Sequence, residues 1–433
     1  MQAIITFFTS RGVIFGLLAL VLGVLGFKYI SKLNPAPPNT IDFSAGSKGG
    51  AYDKFAQAYA SYLAKEGVTL NIIQSGGTLA NLDKLLVTKK AQAGFIQSGL
   101  ASPEQIQQLN GLAAVTFEPV WVFTRTRPIS NLAELAKLNL ALPQEGSGAR
   151  ASLAQLFTHS GLSINPKWQS HDLDKAIELL DTGKIDAVFT VASIASPLVQ
   201  KLLLGKHHLM NFAHAQAVAR QLPAYSLVTL PRGAVNAGLD IPAQNIQLIA
   251  PQAILAANSE LHPALAYLLL DAAQKVHSGT GLLHEPNQFP NAKVAEFTPA
   301  DEALRYFKEG KPFLERFLPY WLANLIARLL FVLIPLFAIL FPIIKLEPEL
   351  EAFICKLRLQ PHYKTLHHIE SGFVTATGTP SAELVQKTLS QLSALEQQAV
   401  ATKVPTDHLK DRYALLQNIA VVHARVQSYA HKA

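Results

Sequence analysis

The chain holds a single cysteine, Cys355, in 433 residues. One thiol forms no internal disulfide, and it excludes zinc sites built from four cysteines or from a cysteine pair with a histidine pair. Charge is scarce as well: 15% of residues are charged against 49% hydrophobic. The net charge is +7, yet no Lys/Arg block exceeds a pair such as Lys89-Lys90. Without a basic stripe interleaved with aromatics, the sequence offers no ordinary nucleic-acid surface. Catalytic signatures are also missing. There is no Gly-x-Ser-x-Gly elbow, no Gly-Lys-Ser/Thr closing a phosphate loop and no GxGxxG turn. The histidine pairs His207-His208 and His367-His368 have no acidic partner at ligand spacing, and adjacent helical residues do not share a face. No catalytic residue, metal or cofactor is read from the sequence. Cys355 reads as a small apolar residue near a membrane, and Asp172 as a helix N-cap.

What the chain has in excess is apolar length, with a mean hydropathy of +0.21. Gly12 to Ile30 is nearly free of charge and just long enough to cross a bilayer of about 30 Å. It reads either as an uncleaved anchor or as a signal peptide with a cut after Gly26. Tyr320 to Leu346 is the second apolar segment. Tyr320 and Trp321 suit an interfacial aromatic belt, Arg328 can snorkel, and Pro335 and Pro342 are tolerable in a membrane helix. Lys345, Lys356, Arg358 and Lys364 after this span, against Lys308, Lys311 and Arg316 before it, favour a cytoplasmic tail, and Arg11 agrees.

Between the two segments, short β-like runs alternate with helical periods, which predicts an α/β fold with largely parallel sheets. The expected strands are Thr40–Ser44, Thr69–Ile73, Ala93–Ile96, Val120–Thr124, Asn139–Leu142, Ala187–Val191 and Ser226–Leu230. An internal echo supports two similar lobes. Leu85, Leu86, Thr88, Lys90, Ala93 and Phe95 fall, at one constant offset, on Leu179, Leu180, Thr182, Lys184, Ala187 and Phe189. Two lobes imply a cleft, a favoured place for a ligand.

Three glycine-rich turns each join an expected strand to an expected helix: Gly46 to Tyr52, Ser75 to Thr78, and Glu145 to Arg150. Helix N-termini carry unpaired N–H groups and partial positive charge, and glycine lets a ligand approach the backbone. Each turn alone is equally an ordinary helix start. Three in equivalent places favour a site for an anion or carboxylate.

In order and spacing, AGSKGGAYDKFAQAYASYL, IIQSGGTLANLDKLL, AQAGFIQSG, FEPVWVFTRTRPISNLAEL, QEGSGARASLAQLF, GKIDAVFTVAS, LPAYSLVTLPRGA and FKEGKPFLERFLPYWLANLIARL resemble the TAXI family of solute receptors. These are the binding subunits of one class of tripartite ATP-independent periplasmic (TRAP) transporters. The resemblance runs from about Asp42 to about Leu346, and its last part is similar to a subgroup with a C-terminal membrane helix. It implies an α/β, two-lobed type II periplasmic-binding-protein fold, flanked by N-terminal and C-terminal transmembrane helices and followed by a helical tail. Residues 1–38 would be anchor or signal and linker, 39–317 the binding domain, 318–346 the membrane helix and 347–433 a cytoplasmic tail. Lobe one would be 39–125 and 224–297, and lobe two 126–223. The implied ligand contacts are Gly46, Ser47, Gly50, Tyr52, Gly76, Gly77, Thr78, Asn81, Gln97, Ser98, Trp121, Ser147, Gly148 and Arg150. The implied ligand is a small carboxylate, an amino acid or a dicarboxylate, and Arg150 would grip it with two parallel bonds. Two departures from the family bear on the ligand. Ala149 replaces the usual Thr, and Asp53 stands where a second aromatic is common.

The implied function is extracytoplasmic solute binding at the bacterial inner membrane, without catalysis, for delivery to TRAP-type permease subunits. The alternative is a membrane-anchored sensor or scaffold that signals through the membrane helix to the tail. That tail shows two helical patterns, Glu351 to about Phe373 and about Ser381 to His431 with a break at Pro405.

Overall fold

The computed structural model describes residues 36–374 and 380–430, together with 21, 23–26 and 28. The segment Gly12–Ile30 therefore lies largely outside the described residues. The described residues form two compact units, one that begins at residue 36 and runs to 328, and one from 329 onward.

The first unit runs β1 (Thr40–Ser44), α1 (Ala51–Lys65), β2 (Thr69–Ile73), α2 (Thr78–Leu82), β3 (Ala93–Gln97), α3 (Pro103–Gln107) and β4 (Asn110–Phe117). It continues through β5 (Val120–Thr124), α4 (Leu132–Leu135), β6 (Leu140–Ala141), α5 (Gly148–His159), α6 (Leu173–Asp181), β7 (Ala187–Val191), α7 (Pro197–Leu203), β8 (His208–Leu209) and α8 (Ala215–Gln221). β9 (Tyr225–Leu230), β10 (Ile246–Ala257), α9 (Pro263–His277), β11 (Thr298–Pro299) and α10 (Asp301–Glu309) follow. One seven-stranded sheet has the order β11-β4-β10-β3-β1-β2 with β9 on β10, and a second has the order β6-β7-β5-β8. β3 and β5 are buried at every residue, as apolar strands covered on both faces are.

The sheets are mixed rather than largely parallel. β1 pairs in parallel with β2 and β3, and β6 with β7. β10 runs antiparallel to β3, β4 and β9, and β5 antiparallel to β7 and β8. The reason is the route of the chain: strands that carry it between sheets and back run against their neighbours.

That route also moves a lobe boundary. Val120–Thr124, expected in lobe one, pairs residue by residue with Val191–Ala187 of the second sheet. The first crossing therefore falls at Glu118-Pro119. β10 changes partners along its length, pairing with β9 up to Pro251 and with β4 from Gln252 and β3 from Ala253 onward. The crossing touches this change of partners, the Glu118 N–H donating to the Pro251 carbonyl over 2.9 Å.

The internal echo is visible as helix, turn and strand in both lobes, with β3 and β7 in matched positions. The matched turn residues Lys89 and Gly183 both have positive φ, +50° and +72°. The fully buried leucine is Leu85 in one copy and Leu180 in the other, one position out of step. A π turn over Asp83–Val87 inserts an extra residue and rotates the face.

Lobe one also holds the segment leading to the apolar helix. The buried Asp271 carboxylate of α9 accepts from the Tyr62 and Tyr306 hydroxyls and pairs with Lys311. Tyr320, expected in an aromatic belt, is instead buried in the lobe-one core, and its N–H donates to Glu66 Oε2 over 3.3 Å. Trp321 is exposed. A 19-residue stretch, Tyr320–Ala338, with mean hydropathy 2.0, is long and apolar enough to cross a membrane.

α11 (Tyr320–Val374) is one helix of 55 residues, so the apolar stretch and the first expected tail helix are continuous. In the second unit its Cys355, Leu359 and Leu366 pack with α12 (Ala382–Ala401) through Leu392 and Leu395, and with α13 (Leu409–Ala430) through Leu415 and Ile419. The tail thus buries its apolar faces on itself.

Candidate functional site

A cleft of about 340 Å³ lies between the two sheets of the first unit, lined from both. The three glycine turns meet there. The first presents Gly46, Ser47, Gly50 and Tyr52, the second Gly76, Gly77 and Thr78, and the third Ser147 and Gly148. Gln97, at the end of β3, completes the expected residues that line it.

Local chemistry fixes each turn. Gly77 has φ +116° and Gly146 +77°, conformations that a Cβ would strain. The Gly77 N–H donates to Ser75 Oγ over 3.1 Å. The Thr78 hydroxyl accepts from the Gln97 N–H over 2.9 Å, tying the second turn to β3. Ser147 caps α5 by accepting from the Arg150 N–H over 3.2 Å, and Asp172 caps α6 by accepting from the Lys175 N–H over 2.8 Å. The starts of α1, α5 and α6 therefore open on the cleft and bring it partial positive charge. The lobes are bonded at its floor, where Gln97 Nε2 donates to Ser152 Oγ over 2.7 Å. A Cβ on Gly148 would lie 2.9 Å from Gln97 Oε1, so glycine permits that approach.

Four of the expected contacts do not line the cleft. Asn81 is buried behind the second turn, accepting from Ser44 Oγ over 2.6 Å and donating to the Phe95 carbonyl over 2.7 Å. Ser98 sits at the crossing of the lobes, its Oγ donating to the Ala224 carbonyl and accepting from the Gln252 N–H. Trp121 is fully buried in β5 and its indole N–H donates to the Ala192 carbonyl over 2.9 Å. Arg150 is half-buried away from the lining, with Nη1 buried and without a hydrogen-bond partner. Gly148 and Ala149 face the cleft; one further residue turns the side chain about 100° round the helix. Asp53 does not face the cleft either. It is buried and accepts from the Gly49 N–H and from Gln57 Nε2, closing the first turn.

The structure adds residues that the sequence reading passed over, among them Gln144, His171, Thr190, Ser193, Ser196 and, above all, Glu118. Glu118 is buried at the first lobe crossing. The Tyr52 hydroxyl donates to its Oε2 over 2.7 Å, and no cation pairs with it among the described residues. Burial pushes its carboxyl up to about 7, against the opposing pull of the Tyr52 bond. Burial and the adjacent Glu118 hold the Tyr52 phenol well above its ordinary range. No Lys or Arg lines the cleft among the described residues; its ionisable groups are Tyr52, Glu118, His171 and Asp172. The signal for Glu118 is a lone charge between the apolar runs of β4 and β5, in LAAVTFEPVWVFT.

Residues 43–310 match the profile of the NMT1-like family. The fold is mixed α/β with two sheets. Similar solved structures include the BenM effector-binding domain with benzoate, at 13% identity and TM-score 0.37, covering 57% of this chain and 96% of that one. The QuiR effector-binding domain with shikimate is 13% identical at TM-score 0.36, covering 55% and 96%. The Synechocystis PCC6803 CcmR regulatory domain with 2-PG is 10% identical at TM-score 0.37, covering 56% and 98%. No curated protein matches in sequence.

Proposed function

We propose that this chain, which belongs to the NMT1-like family, binds a small polar solute in the interlobe cleft and delivers it to a TRAP-type permease. The observation that carries the reading is the convergence of three glycine turns from two lobes on one cleft. Three helix starts suit the anionic end of a ligand. The Glu118 carboxylate, which lines the cleft and has no cation partner among the described residues, suits a donor or ammonium end, so an amino acid fits better than a dicarboxylate. The reading places the cleft outside the bacterial inner membrane, held there by the apolar start of α11. It assigns no catalytic step.

The self-packed tail favours a second reading, a sensor in which cleft occupancy reaches α12 and α13 through α11. The two part at the tail. Loss of residues 375–433 leaves solute uptake intact if the chain delivers, and silences the output if it signals. Both require binding. A thermal-shift screen of the detergent-solubilised full chain against amino acids and carboxylates should find a stabilising solute, worth roughly 2.7 kcal/mol at a hundredfold excess over the dissociation constant. A screen without a single shift overturns both readings.

A further inference from the structure

The second unit brings together three donor side chains that the cleft does not use. Cys355, the only cysteine, lies on α11; His408 ends a 3₁₀ turn over Thr406–His408; Asp411 lies in the first turn of α13. His408 Nδ1 is 3.0 Å from Asp411 Oδ2, and Cys355 Sγ is 3.9 Å from the same oxygen. One ligand atom from each residue lies within 4.8 Å of the other two.

We infer that Cys355, His408 and Asp411 form a three-ligand site for a divalent transition metal, with zinc as the best fit. A tetrahedral zinc with bonds of about 2.3 Å to sulfur and about 2.0 Å to nitrogen or oxygen needs ligand–ligand edges of roughly 3.3–3.6 Å. The observed separations bracket those edges, so small side-chain shifts let one ion reach all three atoms. The hydrogen bond alone gives a weaker account of Cys355, because a thiol is a poor donor and 3.9 Å is near the limit for sulfur. Thiolate, imidazole and carboxylate together select a borderline ion and disfavour magnesium and calcium, which prefer oxygen alone. Binding converts the thiol to a thiolate and releases its proton. Thiolate and carboxylate then neutralise the dication, which reduces the cost of holding it between helices.

The scaffold holds this geometry by other bonds. Arg358 Nη1 donates to the Lys403 carbonyl over 2.8 Å, and His362 Nε2 lies 2.9 Å from Thr402 Oγ1. Both fasten α11 to the segment that leads to His408, so the ion meets ligands already in register. Cys355 is buried whereas His408 and Asp411 are half-exposed. The fourth position therefore opens on their side, to water or to a further ligand. The ion would staple α11 to the start of α13, and nothing in this inference depends on the cleft.

The test uses the full chain, solubilised in detergent, stripped with a chelator and titrated with cobalt(II). One equivalent per chain should produce the absorption of tetrahedral cobalt with a thiolate-to-metal charge-transfer band, and zinc should bleach it. Cys355→Ser should abolish the band. His408→Gln and Asp411→Asn should each weaken binding by more than about tenfold, whereas substitution of the exposed His367 on the same helix as Cys355, His367→Gln, should leave it unchanged. Circular dichroism establishes that each variant keeps its helices, and the wild-type titration decides the matter even if a variant unfolds. Absence of the charge-transfer band at stoichiometric cobalt overturns the inference. So does a band of undiminished affinity in the His408→Gln/Asp411→Asn double variant, which would mean a thiol adduct only.

Discussion

Glu118→Gln should stabilise the solute-free protein at pH 8 by up to about 3 kcal/mol. The folded carboxyl titrates at about 7, against 4.5 ordinarily. Below pH 4.5 it is protonated in both states and costs nothing. Between pH 4.5 and 7 the unfolded chain releases the proton first, so stability falls as pH rises. Above pH 7 the loss is complete and constant. Glutamine keeps the shape, stays neutral and still offers an oxygen to the Tyr52 hydroxyl. Urea unfolding of both proteins at pH 4.5 and pH 8 isolates the effect as a difference. Wild type and variant should be nearly equal at the lower pH and diverge at the higher. An equal gap at both values would place the titration elsewhere. Under the proposed function, a donor on the solute offsets the cost of keeping so unfavourable a group in the cleft.

The second large effect is expected at Asp271, in α9 of lobe one. Asp271→Ala should destabilise the protein by about 3 kcal/mol, the lower end of the range for breaking a buried pair, because Lys311 can turn to water. The substitution leaves the Tyr62 and Tyr306 hydroxyls without their acceptor as well as Lys311 without its partner. Asp271→Asn retains an acceptor oxygen and should cost about half as much. Urea midpoints measure both. A loss below about 0.5 kcal/mol for the alanine variant, the range of ordinary surface changes, would show that the network does not hold α10 and the start of α11 to the lobe.

These two carboxylates show where sequence reasoning reaches and where it stops. Thr40–Ser44, Thr69–Ile73, Val120–Thr124 and Ala187–Val191 are legible because short apolar, β-branched runs lie between turn residues. β4 and β10 are not, since alanine-rich NGLAAVTF and IQLIAPQAILAA read equally as helix and Pro251 interrupts the second. Pro251 sits where β10 changes partners, so the residue that hides the strand also marks that change. The sheet to which Val120–Thr124 belongs is not legible, because apolarity shows that a strand is buried without showing in which sheet. The glycine turns were legible from backbone chemistry. The side chains beyond them were not, because Arg150 and Asp53 depend on rotation about a helix axis, and Glu118 on tertiary closure around one carboxylate.

Calorimetric titration of the best solute from the screen, at pH 8, into wild type, Glu118→Gln and Arg150→Ala asks whether a solute binds between the lobes on the three turns and Glu118. Binding to the wild type should be saturable, weaker by about 1.5–3 kcal/mol in Glu118→Gln, the range for a charged hydrogen bond, and unchanged in Arg150→Ala. Undiminished affinity in Glu118→Gln together with loss of affinity in Arg150→Ala would contradict such binding and move the site out of this cleft.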